Sequence, residues 1–177
     1  MEALLLQEFE KQINESPDLF QVLDGKIYKK ILADENYNFI YNLADWKNFI
    51  TLTFRDYKFP DVALSNFRYL IRILNEDLLG KNYRKKVGWS YFTYCLGIEY
   101  QKRDVIHFHW MADEPLNFQL IHRWWNTYSG FAWTSKKRSQ EDVCNYMVKY
   151  NLKGGQVDVF RKEKNLDMPL LPDWYKY

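Results

Sequence analysis

The sequence predicts an α+β fold in which a mainly antiparallel sheet carries helices on one face and leaves the other face open. Two observations support this fold class. Several short segments alternate apolar and polar residues, as half-buried strands do, and the segments between them repeat apolar residues at helical spacing. The resulting order is strand, helix, hairpin, helix, strand and helix, which favours helices packed against a single sheet. A chain of 177 residues is long enough to bury a core.

The predicted elements follow one another from residue 49 to about residue 151. They are a strand at 49–55, a helix at about 61–79, two strands at 89–100 and 105–112 joined by a polar turn at 101–104, a helix at 117–128, a strand at 131–134 and a helix at 139–151. In the first strand Ile50, Leu52 and Phe54 face one side, and Thr51 and Thr53 face the other, because side chains alternate along a strand.

Residues 1–45 are predicted to form an N-terminal accessory segment, followed by the main domain at 46–177. Leu5, Phe9 and Ile13 recur at four-residue spacing and predict a helix over 2–14. Residues 18–45 show a mixed pattern with turn signals at 24–25 and 36–38. We assign no chemical role to this segment.

Composition indicates a globular chain and leaves the binding partner open. Hydrophobic residues make up 47% of the chain and charged residues 27%, which excludes the disordered class. A net charge of +2 is too small to indicate nucleic-acid binding by itself. The two cysteines, Cys95 and Cys144, lack zinc-site spacing, and no apolar run approaches the roughly 20 residues of a membrane-spanning helix. We therefore predict a cytoplasmic protein without a membrane partner.

The aromatic content, 19%, has two explanations. Aromatic residues fill strands and cores, and they also stack on unpaired bases. Trp89, Trp124, Trp125 and Trp133 are candidates for stacking, with core packing as the alternative for most of them. His122 lies in a predicted helix and is interpreted as structural.

A pair of histidines in the strand at 105–112 is the strongest functional signal. His107 and His109 are two residues apart, so both imidazoles project from the same face of the strand. Ile106, Phe108 and Trp110 project to the opposite face and form a core stripe. Two half-exposed histidines with ordinary hydrogen bonds are the alternative explanation for an isolated pair of this kind.

The preceding strand adds a carboxylate to the histidine face. If its apolar residues face the core, Glu99 faces the histidines, and a register that sets Gly97 opposite His107 leaves Glu99 one diagonal away. Glu99, His107 and His109 would then form an open metal site for Mn²⁺ or Mg²⁺. Gly97 would leave room for a phosphate beside the metal, although a glycine here also suits a bulge or bend.

The last predicted helix has one apolar face and one face of phenols and ammonium groups. The apolar face consists of Val143, Cys144, Met147 and Val148, and the nearly opposite face of Tyr146, Lys149, Tyr150 and Lys153. A nucleophilic tyrosine benefits from nearby positive charge, because its phenol otherwise ionises near pH 10. Surface tyrosines of an ordinary amphipathic helix are the alternative.

These motifs, in this order, resemble the HUH endonuclease superfamily and, within it, rolling-circle replication initiators. The family shows a Thr-Leu-Thr-like strand, a His-hydrophobic-His strand and a Tyr-x-x-Lys helix, which here correspond to 49–54, 107–109 and 146–149. In conjugative relaxases the tyrosine precedes the histidines, whereas here it follows them. The added Tyr150 is similar to the two-tyrosine motif of some initiators. The resemblance covers roughly residues 47–155.

The resemblance implies an RRM/ferredoxin-like sheet with a divalent metal on its open face. It also implies single-stranded DNA at a replication origin as the substrate and Tyr146 as the nucleophile, which forms a 5′-phosphotyrosine. Lys149 would hold the scissile phosphate, and Tyr150 would be a second nucleophile or a packing residue. The sequence has no Walker A pattern, so a separate helicase and a polymerase are expected partners.

Basic residues in two runs are candidate contacts to the DNA backbone. Lys136, Lys137 and Arg138 form one run, with Lys153 as a further candidate, and Tyr83 to Lys86 form the other. Solvated loops are the alternative explanation for both runs. Three other functions stay open: a transposase of the same superfamily, a non-catalytic nucleic-acid-binding module and a metal-free structural protein.

Overall fold

The computed structural model describes residues 25–101, 105–135, 139–151 and 156–162, without the side chains of 25–31, 135 and 150–151. The predicted helix at 2–14 lies outside these residues. The described helices are α1 (Gly25–Leu43), α2 (Pro60–Leu79), α3 (Tyr83–Val87), α4 (Phe118–Tyr128) and α5 (Gln140–Asn151). The strands are β1 (Asn48–Phe54), β2 (Tyr94–Tyr100), β3 (Ile106–Ala112), β4 (Gly130–Ser135) and β5 (Gln156–Phe160).

The described strands form one sheet in the order β4-β1-β3-β2-β5. Each neighbouring pair is antiparallel. The helix-containing segments connect strands that are not all adjacent, so the sheet is assembled from distant parts of the chain. This arrangement confirms the predicted α+β class with an antiparallel, ferredoxin-like sheet.

One face of the sheet is covered by α2, α3 and α4. Alternate residues of β1, β2 and β3 enter this core, and in β1 they are Ile50, Leu52 and Phe54, as predicted. Phe67 of α2 packs edge-on against Trp110 of β3, with ring centroids 5.2 Å apart. Burial of these large apolar side chains supplies the main stabilising free energy of the domain. We call this cluster the helical-side core.

The opposite face carries a second, smaller core between β2, β3, α1 and α5. It contains Ile40 and Trp46 from the N-terminal side, Cys95 and Met111 from the strands, and Val143, Cys144, Met147 and Val148 from α5. We call it the site-side core. The predicted open face is therefore covered over part of its area, while the part around β1 and β4 retains exposed side chains. The domain boundary at residue 46 stays a prediction, but α1 packs directly on α5.

The turn signals predicted at 24–25 and 36–38 are not turns within residues 25–43, because helix α1 runs through them. Asn36 donates its side-chain amide to the carbonyl of Leu32, and Asn42 donates to that of Asn38. These bonds to the preceding turn, together with packing against α5, outweigh the weak helix preference of asparagine.

Two other expectations were wrong in extent. Strand β2 begins at Tyr94 rather than at residue 89, because the amide of Tyr91 donates to the Asn75 side chain of α2 instead of to a strand. The edge strand β5 was not predicted. Its five residues alternate over too short a distance to stand out, but Val157 and Val159 pack on the site-side core.

Candidate functional site

The hairpin of β2 and β3 places Glu99, His107 and His109 on the same face of the sheet. Glu99 lies directly opposite His107, and Gly97 lies opposite His109. This register is shifted by two residues from the predicted one, which set Gly97 opposite His107. The connecting loop has an odd number of residues and is closed by a hydrogen bond from the Gln101 amide to the Val105 carbonyl, 3.1 Å long. The odd length preserves the predicted facing.

Strand β1 supplies a threonine opposite each histidine. Thr51 pairs with His109 and Thr53 with His107 across the β1–β3 ladder. The Thr53 hydroxyl lies 3.1 Å from Nδ1 of His107, and the Thr51 hydroxyl lies 3.5 Å from Nδ1 of His109. Both imidazoles therefore direct Nδ1 toward β1, which orients their Nε2 atoms away from it. Strand alternation predicted the shared face of the two threonines but not their contacts with the imidazoles.

Glu99 and Gln101 complete the polar surroundings of the imidazoles. Nε2 of His109 lies 3.2 Å from Oε2 of Glu99, and the Gln101 amide nitrogen lies 2.7 Å from Nδ1 of His107. Gln101 was predicted only as part of a polar turn. The rings of His107 and His109 are 4.8 Å apart. The carboxylate thus contacts the diagonal histidine rather than the one directly opposite.

Burial holds both imidazoles in the neutral form. Burial, followed by the neighbouring His109, lowers the pKa of His107 to about 4, although Glu99 acts in the opposite direction. Burial lowers the pKa of His109 to about 4, and only 2% of this residue is exposed. Neutral imidazole is the form that binds metal ions.

The donor set suits a divalent transition metal, but its side chains do not converge in this structure. Within the described ranges, no group of three or more His, Cys, Asp or Glu side chains is placed to hold a metal ion. Nδ1 of His107 is engaged by Thr53 and Gln101, and Glu99 contacts His109. Two imidazoles and one carboxylate nevertheless match the ligand chemistry of Mn²⁺.

Tyr146 of α5 lies directly against the histidines. Its ring meets the imidazole of His109 edge-on, with centroids 5.0 Å apart, and meets the ring of Phe49 at 5.1 Å. Tyr146 therefore lies at the border of the buried face of α5 and not nearly opposite to it, as the helical pattern predicted. The predicted apolar face, including Val143 and Met147, is buried as expected.

Gly97 allows α5 to approach the sheet. A Cβ atom at Gly97 would lie 3.1 Å from Cε of Met147. The space above Gly97 is thus filled by Met147, and the prediction that it is left for a phosphate was wrong. Close approach at this point brings the preceding residue of the helix, Tyr146, against His109.

The remaining predicted site residues have different outcomes. Lys149 is exposed on α5, and Tyr150 belongs to the same helix, but its side chain lies outside the described atoms. The four predicted DNA contacts Lys136, Lys137, Arg138 and Lys153 lie outside the described residues.

The other basic run does not join the site. Tyr83 is buried in the helical-side core, and Arg84 packs over Trp89 at 5.5 Å. Trp125 is likewise part of that core, and His122 contacts the Thr134 hydroxyl at 3.3 Å. The run at 83–86 therefore lies on the opposite side of the sheet from the histidines.

Residues 47–155 match the model of a family described as Replication-associated protein ORF2. The match covers more than half of the chain, and the chain belongs to this family. No curated protein and no solved structure matches it at a significant level. Membership is consistent with a replication initiator, a role that implies DNA as a partner. None of the described helices is long and apolar enough to cross a bilayer.

Proposed function

We propose that the protein is an HUH-type endonuclease that nicks and rejoins single-stranded DNA to initiate rolling-circle replication. The observation that carries this proposal is the contact between the Tyr146 ring and the His109 imidazole, 5.0 Å between centroids. A phenol, two neutral imidazoles and a carboxylate share one surface, and each has a defined task in phosphodiester transfer.

In the proposed reaction the phenolate oxygen of Tyr146 attacks the phosphorus of one phosphodiester. The bond from phosphorus to the 3′ oxygen breaks, and this oxygen takes up a proton and becomes a free 3′-hydroxyl. The 5′ end remains on Tyr146 as a phosphotyrosine. Attack by a 3′-hydroxyl on this ester reverses the step and rejoins the strand without ATP, because the number of phosphoester bonds is conserved.

Glu99, His107 and His109 would hold a divalent metal, which polarises a phosphate oxygen and orients the scissile bond. The hydroxyls of Thr51 and Thr53 suit this task, because a hydroxyl can donate to or accept from Nδ1. An imidazole that binds a metal through Nε2 carries its proton on Nδ1, and the threonine oxygen would then accept it. Gln101 would have to turn its amide to present oxygen to His107.

Lys149 and Tyr150 have supporting roles in the proposal. The Lys149 ammonium, one turn from Tyr146 on the exposed side of α5, would neutralise charge on the scissile phosphate. Tyr150, four residues beyond Tyr146, would serve as a second nucleophile when the displaced strand is cut and circularised. Double-stranded DNA is an unsuitable substrate because Tyr146 must reach a backbone free of its complement.

A covalent-capture assay tests the proposal. The protein is incubated with a random single-stranded DNA library and Mn²⁺, and SDS-stable protein–DNA species are separated and sequenced. We expect an adduct that requires Mn²⁺, is abolished by EDTA and by Tyr146→Phe, and persists in Tyr128→Phe, a control on the other side of the sheet. The released fragments should be extended directly by a DNA polymerase, since their 3′-hydroxyls are free. Metal-independent binding without any adduct would instead identify a non-catalytic binding module.

A further inference from the structure

Strand β4 presents two exposed aromatic side chains at the edge of the sheet. Phe131 is 63% exposed and Trp133 is 71% exposed. Such large apolar rings are normally buried when the protein has no use for them in solvent. Because β4 is the terminal strand of the sheet order, nothing in the described sheet continues beyond it.

The strand register places both rings on the same face as the histidines. Trp133 lies opposite Thr51, which in turn lies opposite His109. Phe131 lies opposite Thr53, which lies opposite His107. Each aromatic residue therefore lies two strands from an imidazole, about 10 Å at the usual strand spacing.

We infer that Phe131 and Trp133 form a stacking platform for the bases of an unpaired DNA strand whose backbone crosses the sheet at His107 and His109. The inference rests on the proposed function for the position of the scissile phosphate. Residues two apart on a strand are separated by about 6.8 Å. This is twice the roughly 3.4 Å rise of stacked DNA, so the spacing admits one base between the two rings.

An unpaired strand suits this surface better than a protein partner. Stacking on aromatic rings is the usual way to bind unpaired bases, and it tolerates different sequences because every base has a π face. The platform is also continuous with the surface of His107 and His109, as a strand passing over the site requires. By contrast Tyr128, which is 70% exposed on α4, already contacts the Trp124 ring at 5.6 Å and lies on the other side of the sheet.

Fluorescence anisotropy with a labelled oligonucleotide of random sequence tests the platform. The Tyr146→Phe protein is used in EDTA, so that neither metal nor covalent chemistry contributes. Trp133→Ala and Phe131→Ala should each weaken binding by about 5- to 100-fold, the usual effect of losing one stacking ring. Trp133→Phe should retain most of the affinity, and the control Tyr128→Ala should bind like the parent.

Salt dependence separates stacking from loss of charge contacts. The slope of log affinity against log salt should be the same in Trp133→Ala and the parent, because no phosphate contact is removed. Unchanged affinity in Trp133→Ala, with an unchanged melting temperature, would overturn the inference. A change in sedimentation mass of Trp133→Ala would also overturn it, since the platform would then be covered by a second copy of the chain. Because the assay contains no nucleophile, failure of the nicking proposal leaves its result interpretable.

Discussion

The ring of Tyr146 meets the imidazole of His109 edge-on, at an interplanar angle of 82° and with centroids 5.0 Å apart. The two residues lie on different elements, an α-helix and a central strand, and are 37 positions apart in the sequence. Their contact depends on the close approach of α5 to the sheet above Gly97. The fit of Met147 over this glycine therefore positions Tyr146.

Replacing Gly97 by valine should displace α5 and separate Tyr146 from His109. The added side chain meets Met147, whose Cε atom is 3.1 Å from the position of Cβ. Overpacking of this kind costs about 1–3 kcal/mol in the free energy of unfolding, and a misplacement near 1 Å can reduce catalysis about 100-fold. Adduct yield and urea denaturation measure the two effects.

The double variant Gly97→Val with Met147→Ala is the matched control, because it restores the space. It should recover part of the adduct yield. Full activity in Gly97→Val alone would show that the approach of α5 at this point does not position Tyr146.

Thr53→Val should weaken metal binding while leaving the fold intact. Valine has nearly the same shape as threonine but cannot bond to Nδ1 of His107, which lies 3.1 Å from the hydroxyl. Loss of such a hydrogen bond typically lowers metal affinity about 10- to 100-fold. Titration calorimetry with Mn²⁺ measures the change.

Thr134→Val is the control for this substitution. Its hydroxyl contacts His122, 3.3 Å away. Manganese affinity should stay at the parental value in this variant. Equal losses in both threonine variants would indicate a general effect of valine on the sheet.

Stability in the absence of metal should fall as the pH is lowered below about 6.5. The pKa values of His107 and His109 are lowered from 6.5 to about 4 by burial, so between these values the unfolded chain binds protons that the folded chain does not. The stabilising contribution is complete above pH 6.5 and is lost as the pH falls toward 4. For His109 it amounts to about 1–3 kcal/mol.

Urea denaturation in EDTA at pH 7.5 and pH 5 measures this dependence. His109→Gln should reduce the difference between the two pH values, because one of the titrating groups is removed. A free energy of unfolding that is equal at both pH values in the parent would contradict the assignment of two buried neutral imidazoles.

Gln140→Ala should destabilise the contact between α1 and α5. The Gln140 side chain accepts from the Trp46 amide at 3.0 Å and donates to the carbonyl of Ala44 at 2.7 Å. Leaving such groups without a partner costs about 1–3 kcal/mol, which thermal or urea denaturation detects. Tyr41→Phe, which removes an exposed hydroxyl bonded to Glu141, should change stability much less. A stable Gln140→Ala would indicate that α1 is held by apolar packing alone.

The site could be predicted from the sequence as far as strand alternation extends. The two-residue period determines which face Glu99, His107 and His109 share, and any odd loop length preserves that facing. The register within that face depends on how the loop at 101–105 closes, which periodicity does not contain. For this reason Glu99 was placed one diagonal away from His107 and is found opposite it.

The partners of the histidines and the role of Gly97 depend on contacts between distant segments. Thr53 reaches His107 only because β1 pairs with β3, 54 positions along the chain. Gly97 was interpreted as open space because the sequence does not show that Met147 packs there. Helix α1 was missed for the same reason, since its stability comes from packing on α5.

Peptide mapping of the covalent adduct tests the central claim most directly. Trypsin cleaves after Arg138, Lys149 and Lys153, so Tyr146 and Tyr150 fall in separate peptides, 139–149 and 150–153. After nuclease digestion, the account predicts a nucleotide phosphate on Tyr146 in the peptide 139–149, and no such product from Tyr146→Phe in a first round of cleavage. A nucleotide found only on the peptide 150–153, or retained at full yield in Tyr146→Phe, would contradict it.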